Sequence, residues 1–311
     1  MSTKLHIVSG FLGAGKTTFI RNVIPFMKGR IALIENEYSD VSIDSELFIK
    51  EELVIKEIFS GCICCSLIKD FRTTIDELTS NYDLEHIFIE PSGVGCLSDI
   101  VAICEDISKT SGKAIEIQSV VTLVDASSFE DYIDSFGEFY INQIENAKAI
   151  IITHIEDVNE SALEKITDEI KAVNNSAVIF SEDYLSYPTQ KTLDILETAY
   201  NHELNVIGSG KTTPATSYFT TVSIHNPNKL SMEELSNLSN IFKNRELGTV
   251  LRAKGVIQLA DSSFVHFDFT PNYFDWEYLN TSKDTKISVI GKDLNQAYIK
   301  GMFSDVLEAL I

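Results

Sequence analysis

A glycine-rich segment near the start of the chain has the residue types needed to hold a phosphate group. Residues 10–17 are Gly-Phe-Leu-Gly-Ala-Gly-Lys-Thr, and they stand between an apolar run and a helical pattern. The pattern G-x-x-x-x-G-K-[ST] between a strand and a helix is typical of a phosphate-binding P-loop. Glycines let backbone N–H groups approach phosphate oxygens, and the start of the helix favours the same negative charge. The segment therefore predicts a nucleoside triphosphate and Mg²⁺ as ligands.

Each position of this loop has an expected role. Lys16 supplies the cation for the β- and γ-phosphates, and Thr17 supplies a hydroxyl ligand for Mg²⁺. Thr18 is expected to place its hydroxyl near a phosphate rather than on the metal. The backbone N–H groups that surround the phosphates are expected from four positions: Gly10, Gly13, Ala14 and Gly15.

An acidic residue ends a second apolar strand pattern at Ile87-Phe-Ile-Glu90 and is followed by Pro-Ser-Gly93. A carboxylate at the end of such a strand is typical of residues that hold Mg²⁺, here through a water molecule. Gly93 is placed to donate its N–H to a γ-phosphate and to move after hydrolysis, as switch loops do.

Three cysteines fall within four positions, at Cys62, Cys64 and Cys65. Thiolates select soft and borderline cations such as Zn²⁺ and Cu(I). The spacing differs from the C-x-x-C of closed structural sites, so an incomplete site that exchanges its metal is favoured. A redox pair or buried small residues are the alternatives.

Carboxylates also cluster where the second predicted strand ends, in the segment Glu35-Asn-Glu37-Tyr-Ser-Asp40. At the carboxyl end of a strand close to the phosphate loop, they are placed to hold a cation or a water molecule. Acidic loop residues are commonly just solvated, so this segment alone does not establish a site.

Bulk composition excludes several classes of partner. The chain has 311 residues, 46 acidic and 25 basic, with a net charge of −21. Nucleic acid and anionic membrane surfaces need a basic face, so neither is expected as a partner.

The five cysteines are an odd number, which favours metal or thiol chemistry over a disulfide framework. No signal-peptide core or transmembrane run is apparent, so a cytoplasmic protein is expected.

The order of apolar runs predicts the fold class. Strand and helix patterns alternate through the first two-thirds of the chain, which indicates a doubly wound, mostly parallel sheet of the P-loop NTPase kind. The later residues predict a second, smaller α+β domain with half-exposed strands. We place the first domain at 1–199, a polar linker at 200–217 and the second domain at 218–311.

These motifs together resemble the CobW-type metallochaperone GTPases, which are related to HypB and UreG. The resemblance rests on residues 10–17, Glu35-Asn-Glu37, Cys62-Ile-Cys-Cys65 and Glu90-x-x-Gly93, in this order, and Arg252-Ala-Lys-Gly255 resembles the family's carboxy-terminal domain. It implies a Mg²⁺-dependent GTPase whose nucleotide state gates a transition metal, often Zn²⁺ or cobalt, for a client protein.

The resemblance also implies roles for individual residues. Some members bind metal at the positions that match Glu35, Asp40 and Cys64, and Asp40 replaces a more usual glutamate.

Guanine recognition in GTPases normally rests on N-K-x-D after the strand at 149–152. Here His154 replaces the lysine, and Glu156 replaces the aspartate, with Asp157 one residue further on. GTP is therefore expected with weakened discrimination against ATP.

The leading hypothesis is a GTPase that carries a metal to a client metalloprotein. Lys16, Thr17, Glu90 and Gly93 would form the catalytic site, and the absence of an obvious general base predicts slow hydrolysis until a client or a second protomer, as in a homodimer, completes it. The alternative is an accessory factor that matures or reactivates a corrinoid or other metalloenzyme without carrying metal. A small-molecule kinase and a thiol redox sensor are further alternatives.

Overall fold

The computed structural model describes residues 2–37, 53–59, 65–199, 219–279 and 285–303; at 36–37, 56–59, 65–70, 134–135 and 189 it describes the backbone alone. The described residues divide into two compact units, one that ends at residue 199 and one that begins at residue 219. The linker predicted at 200–217 lies outside the described residues, and the domain boundaries stay a prediction.

A parallel sheet forms the first unit. Within the described ranges its strands are β1 (Thr3–Gly10), β2 (Ile31–Glu37), β3 (Leu53–Phe59), β4 (His86–Glu90), β5 (Ile115–Asp125), β6 (Ala149–Thr153) and β7 (Val178–Phe180). Their order is β3-β2-β4-β1-β5-β6-β7, and every pairing is parallel. The helices of this unit are α1 (Lys16–Val23), α2 (Cys65–Asn81), α3 (Leu97–Thr110), α4 (Phe129–Glu145), α5 (Glu160–Val173) and α6 (Thr189–Thr198).

Hydrophobic cores cover both faces of this sheet. On one face Leu5 of β1 belongs to a core with Phe71 of α2 and Leu97 of α3. On the other face Val8 of β1 belongs to a core with Phe19 of α1. Each fully buried aliphatic or aromatic side chain contributes about 1.5–3 kcal/mol, which explains why the strands are continuous apolar runs.

Strand β1 stands at the point where the direction of winding changes. It lies between β4 and β5, with β2 and β3 on one side and β6 and β7 on the other. In open α/β sheets ligands bind outside the carboxyl ends of the strands at this point. The P-loop follows directly from the carboxyl end of β1, so the topology places it at this position.

The second unit is an antiparallel sheet with helices. Its described elements are β8 (Thr220–His225), α7 (Met232–Phe242), β9 (Thr249–Gln258), β10 (Phe264–Thr270), β11 (Tyr273–Leu279), β12 (Lys286–Lys292) and α8 (Gln296–Phe303), and the strand order is β11-β10-β9-β12-β8. Ser231 and Glu234 form a capping box at the start of α7. Phe242 of α7 and Phe267 of β10 pack in the core of this unit.

The predicted fold class is confirmed: a doubly wound parallel sheet is followed by a smaller α+β unit. The last described helix, α8, begins at Gln296, and residues beyond 303 are outside the described part. In the described portion of the chain, no helix has the length and apolar character needed to cross a membrane.

Candidate functional site

The backbone of the P-loop adopts conformations that favour glycine. Gly13 and Gly15 have φ angles of 79° and 89°, in the left-handed region. Gly10 has a φ of 147°, and a Cβ there would lie 2.6 Å from the carbonyl oxygen of Leu123 in β5. A side chain at Gly10 is therefore excluded, because the loop backbone lies directly against the neighbouring strand.

The Lys16 side chain folds back into the loop. Its Nζ donates to the carbonyl oxygens of Gly10 at 3.0 Å and Phe11 at 3.1 Å. Lys16 is only 5% exposed, so its charge is largely removed from water. A buried cation at the start of a helix attracts phosphate oxygens strongly, and this position matches the predicted role of Lys16.

Thr17 and Glu90 come together as the sequence predicts. Thr17 Oγ1 donates a hydrogen bond of 2.9 Å to Glu90 Oε1. Glu90 is the last residue of β4 and is 8% exposed. A hydroxyl and a carboxylate are the oxygen ligands that Mg²⁺ prefers, so this pair has the chemistry needed to hold the ion beside the phosphates.

A second buried carboxylate lies on the neighbouring strand. Glu35 of β2 is 3% exposed and is the register partner of Glu90 across the β2–β4 pairing. Side chains at paired positions of adjacent strands share one face of the sheet. Ionised carboxylates on adjacent strands repel each other, and a bound cation would relieve that repulsion. Glu57 of β3 is in register with Glu35, so acidic residues occupy the same level on three adjacent strands.

The loop after β4 packs against the P-loop. A Cβ at Gly93 would lie 2.8 Å from the backbone nitrogen of Leu12, so only glycine fits there. The carbonyl oxygens of Gly93 and Gly95 each accept a hydrogen bond of 3.0 Å from Nε2 of Gln143 in α4. The sequence singled out Gly93 but gave no signal for Gln143.

Helix α4 also lines the P-loop with aromatic side chains that sequence reasoning missed. The ring of Phe11 lies 4.6 Å from Tyr132, 5.3 Å from Phe136 and 5.7 Å from Tyr140, measured between ring centroids. Phe11 itself is fully buried. The P-loop and α4 therefore share one apolar contact, and a displacement of either would disturb the other.

The predicted base-recognition residues lie just after β6. Thr153 Oγ1 donates to the carbonyl oxygen of Ala14 at 3.1 Å, which ties this strand end to the P-loop. His154 has a φ of 53°, and Glu156 and Asp157 stand in the short turn that follows. The ligand atoms of His154, Glu156 and Asp157 lie within 4.8 Å of one another, and both carboxylates are exposed. Asp157 Oδ2 lies 3.9 Å from Nδ1 of His154.

Several predicted metal ligands cannot be placed. Asp40, Cys62 and Cys64 lie outside the described residues. Cys65 is the first residue of α2, where only the backbone is described. Among the predicted ligands of the transition metal, Glu35 is the residue that the described structure places.

Family models match both units of the chain. The nucleotide-binding domain of CobW/HypB/UreG matches residues 4–181, which is more than half of the chain. The chain belongs to the CobW/HypB/UreG family. The Cobalamin synthesis protein cobW C-terminal domain matches residues 219–307, so the second unit is a CobW C-terminal domain. The resemblance drawn from the motifs is confirmed.

Curated relatives in this family have low sequence identity to the chain. The zinc chaperone YjiA of Escherichia coli (strain K12) is 28% identical over 181 residues, 56% of this chain and 56% of that protein. The zinc chaperone CobW of a Sinorhizobium species is 29% identical over 198 residues, 53% and 54% of the two chains. The zinc chaperone CobW of Pseudomonas aeruginosa (strain PAO1) is 25% identical over 353 residues, 97% and 90%. The match to the first two thus spans about half of their length.

Replacing Glu156 with alanine should weaken the preference of this CobW-family protein for GTP over ATP. The carboxylate is expected to accept from the guanine N1–H and N2–H, and its loss should lower the ratio of GTP to ATP affinity by about ten- to a hundredfold. Titration of a fluorescent nucleotide with each competitor measures the ratio. Asp157→Ala is the matched comparison, because both side chains are exposed in the same turn. A larger loss in Asp157→Ala would assign the role to Asp157, and an unchanged ratio in both variants would contradict carboxylate recognition at this turn.

Proposed function

We propose that this protein is a Mg²⁺-dependent GTPase that carries a transition metal, Zn²⁺ or Co²⁺, to a client metalloprotein. The cysteine motif at 62–65, together with Glu35 and Asp40, would hold the metal. The single observation that supports this proposal is the contact of Thr17 with Glu90, whose register partner on the next strand is Glu35. The nucleotide site and the proposed metal site thus adjoin at the ends of neighbouring strands.

The nucleotide half of the site acts through charge and position. Lys16 and the P-loop N–H groups bind the phosphates, and Thr17 and Glu90 hold Mg²⁺. When bound, Mg²⁺ offsets the negative charge that develops on the phosphate oxygens. Gly93 donates its N–H to the γ-phosphate. The sequence offers no obvious general base, so hydrolysis is slow until the client or a second protomer completes the site.

The proposed gating of the metal depends on how near Gly93 is to Glu90 along the chain. Gly93, which senses the γ-phosphate, is three residues after Glu90 in a loop packed on Leu12. Movement of that loop on hydrolysis would shift Glu90 and change the field at Glu35 beside it. Metal affinity would then differ between the triphosphate and diphosphate states. In thermodynamic terms, gating means that the bound nucleotide changes the affinity for the metal.

The names of the relatives agree with a metal cargo, since the three curated proteins described above are all called zinc chaperones. The name of the C-terminal family, a cobalamin synthesis protein, favours a second candidate. In that case the protein would mature or reactivate a corrinoid or other metalloenzyme and would not carry metal itself. A cytoplasmic location and homodimer formation stay predictions under either function.

Metal stoichiometry separates the two candidates. The reduced full-length protein is incubated with Mg²⁺, a non-hydrolysable GTP analogue and excess Zn²⁺, desalted, and analysed for zinc, and the experiment is repeated with GDP. The carrier function predicts about one retained zinc ion per chain with the GTP analogue and clearly less with GDP. A protein that hydrolyses GTP yet retains no zinc in either state would favour the accessory function.

A further inference from the structure

One buried glutamine on α4 holds the loop that follows β4. Gln143 is 1% exposed, and its Nε2 donates to the carbonyl oxygens of both Gly93 and Gly95 at 3.0 Å. The amide group of glutamine has two N–H donors on this nitrogen, and both are used. The two carbonyls belong to the turn that contains Gly93, so a single side chain fixes the path of that turn.

The neighbouring residue extends the same contact along the loop. Asn142 accepts from the backbone N–H of Ser98 at 3.2 Å through Oδ1, and its Nδ2 donates to the Ser98 hydroxyl at 3.0 Å. Gln143 and Asn142 therefore hold the segment at positions 93, 95 and 98. Consecutive side chains of α4 thus fix both the turn and the first residues of α3.

Helix α4 is itself anchored at this end, so Gln143 has a fixed position relative to the sheet. Thr122 of β5 donates from its hydroxyl to the carbonyl oxygen of Gln143 at 2.9 Å. Asn174, which follows α5, donates to the carbonyl oxygens of Ile144, Glu145 and Ala147 at 2.8, 3.2 and 2.9 Å. The glutamine is thus held on a rigid element and holds a turn that carries the predicted phosphate sensor.

The chemistry at Gln143 is specific to an amide. Its Oε1 is buried and accepts no hydrogen bond from the residues that the structure describes. The two donated hydrogen bonds therefore orient the side chain. They also offset the free-energy cost of burying Oε1 without a hydrogen-bond donor. A carboxylate of the same shape would place an acceptor against two carbonyl oxygens and would repel the turn.

We propose that Gln143 is a positioning residue that holds the Gly93 turn where its N–H meets the γ-phosphate. The inference rests on the proposed nucleotide function. It adds a residue that makes the protein distinguish a nucleoside triphosphate from a diphosphate. Because the P-loop binds the α- and β-phosphates without help from Gln143, diphosphate binding does not depend on this residue. Gln143 thus separates recognition of the γ-phosphate from recognition of the rest of the nucleotide.

The test compares Gln143→Glu with Asn146→Asp in the full-length protein. Both variants replace a buried amide at this end of α4 that donates to backbone carbonyl oxygen, but Asn146 donates to Asn142 within the helix and not to the Gly93 turn. The readouts are kcat of hydrolysis, the affinity for GDP and the affinity for a GTP analogue, using GTP or ATP, whichever the wild type hydrolyses faster. In Gln143→Glu we expect kcat and the triphosphate-to-diphosphate affinity ratio to fall about tenfold or more, with GDP affinity within about twofold. In Asn146→Asp both kcat and the ratio should stay near the wild type.

Clear outcomes would overturn this inference. Wild-type kcat and affinity ratio in Gln143→Glu, or an equal loss in Asn146→Asp, would each show that Gln143 does not position the sensor. If Gln143→Glu does not fold, Gln143→Met removes the donors at similar volume and is measured in the same way. If the wild type hydrolyses nucleotide but retains no metal, the carrier proposal is refuted. The comparison of the Gln143 variant with its control still tests the role of Gln143, because that comparison does not depend on metal binding. A wild type that hydrolyses neither GTP nor ATP would overturn both.

Discussion

Replacing Thr17 with alanine should lower kcat/KM for GTP hydrolysis by about a hundredfold or more, which is the typical effect of removing one positioned group from a charged transition state. The variant loses a hydroxyl ligand for Mg²⁺ and the hydrogen bond to Glu90. The concentration of Mg²⁺ that gives half-maximal activity should rise as well. Steady-state phosphate release, measured across a series of Mg²⁺ concentrations, gives both quantities.

Thr18→Ala is the matched control for this prediction. The two threonines are adjacent in the first turn of α1, but the Thr18 side chain is exposed. Its loss should change kcat/KM by less than about fivefold, which corresponds to one weak hydrogen bond. Thr17→Ser should retain most of the activity because it keeps the hydroxyl. Equal effects of Thr17→Ala and Thr18→Ala would show that the Thr17–Glu90 pair does not hold Mg²⁺.

Replacing Cys62, Cys64 and Cys65 together with alanine should lower Zn²⁺ affinity in the GTP-analogue state by at least about a thousandfold. Structural zinc sites with four ligands bind with roughly 10–16 kcal/mol, or roughly 3 kcal/mol for each ligand, which is about a hundredfold for each. Even if one of the three cysteines is not a ligand, the loss of the other two should lower the affinity by more than about a thousandfold. Titration against a chelator of known affinity measures the change, and an unchanged affinity would refute the cargo role of the motif.

Cys104→Ala controls for a general effect of removing thiols. Cys104 is fully buried in the core between the sheet and α3, and burial raises the pKa of its thiol to about 12. It therefore remains protonated at neutral pH, and a protonated thiol is a poor metal ligand. Zinc affinity should be unchanged in this variant. A loss equal to that of the triple variant would mean that the cysteine motif does not account for the binding.

The parts of the site that sequence could predict are those with a local signal. The P-loop glycines, Lys16 and Thr17 stand within one short segment, and Glu90 ends an apolar strand. Because the carboxyl ends of parallel strands meet at one edge of the sheet, these residues were expected to lie together. The 2.9 Å contact between Thr17 and Glu90 joins residues that are 73 positions apart, as that argument requires.

Strands with charged residues at their centres were not predicted. β3 is Leu-Val-Ile-Lys-Glu-Ile-Phe, where Lys56 and Glu57 interrupt the apolar run. β11 alternates aromatic residues with Asp275 and Glu277 and lies at the edge of its sheet. An edge strand has one neighbour and tolerates charge, so its pattern resembles that of a loop.

Gln143 could not be predicted for a different reason. In the sequence it is one polar residue in a helix of mixed composition, and such residues usually face solvent. Its bonds go to backbone carbonyls about 50 positions earlier in the chain, and a carbonyl has no side-chain identity that a sequence pattern could record. Contacts of this kind depend on the packing of α4 over the loop, which only the folded structure shows.

The most direct test of the account is the affinity for Zn²⁺ and Co²⁺ as a function of the bound nucleotide. The reduced wild-type protein is titrated with each metal against a competing chelator, with Mg²⁺ and a GTP analogue, an ATP analogue, GDP, or no nucleotide. Coupling between two sites is typically about 1–3 kcal/mol, so affinity should rise about 5- to 150-fold with the GTP analogue alone, and bound metal should raise the affinity for the analogue by the same factor. A weak affinity that is the same in all four conditions would contradict a nucleotide-gated metal carrier.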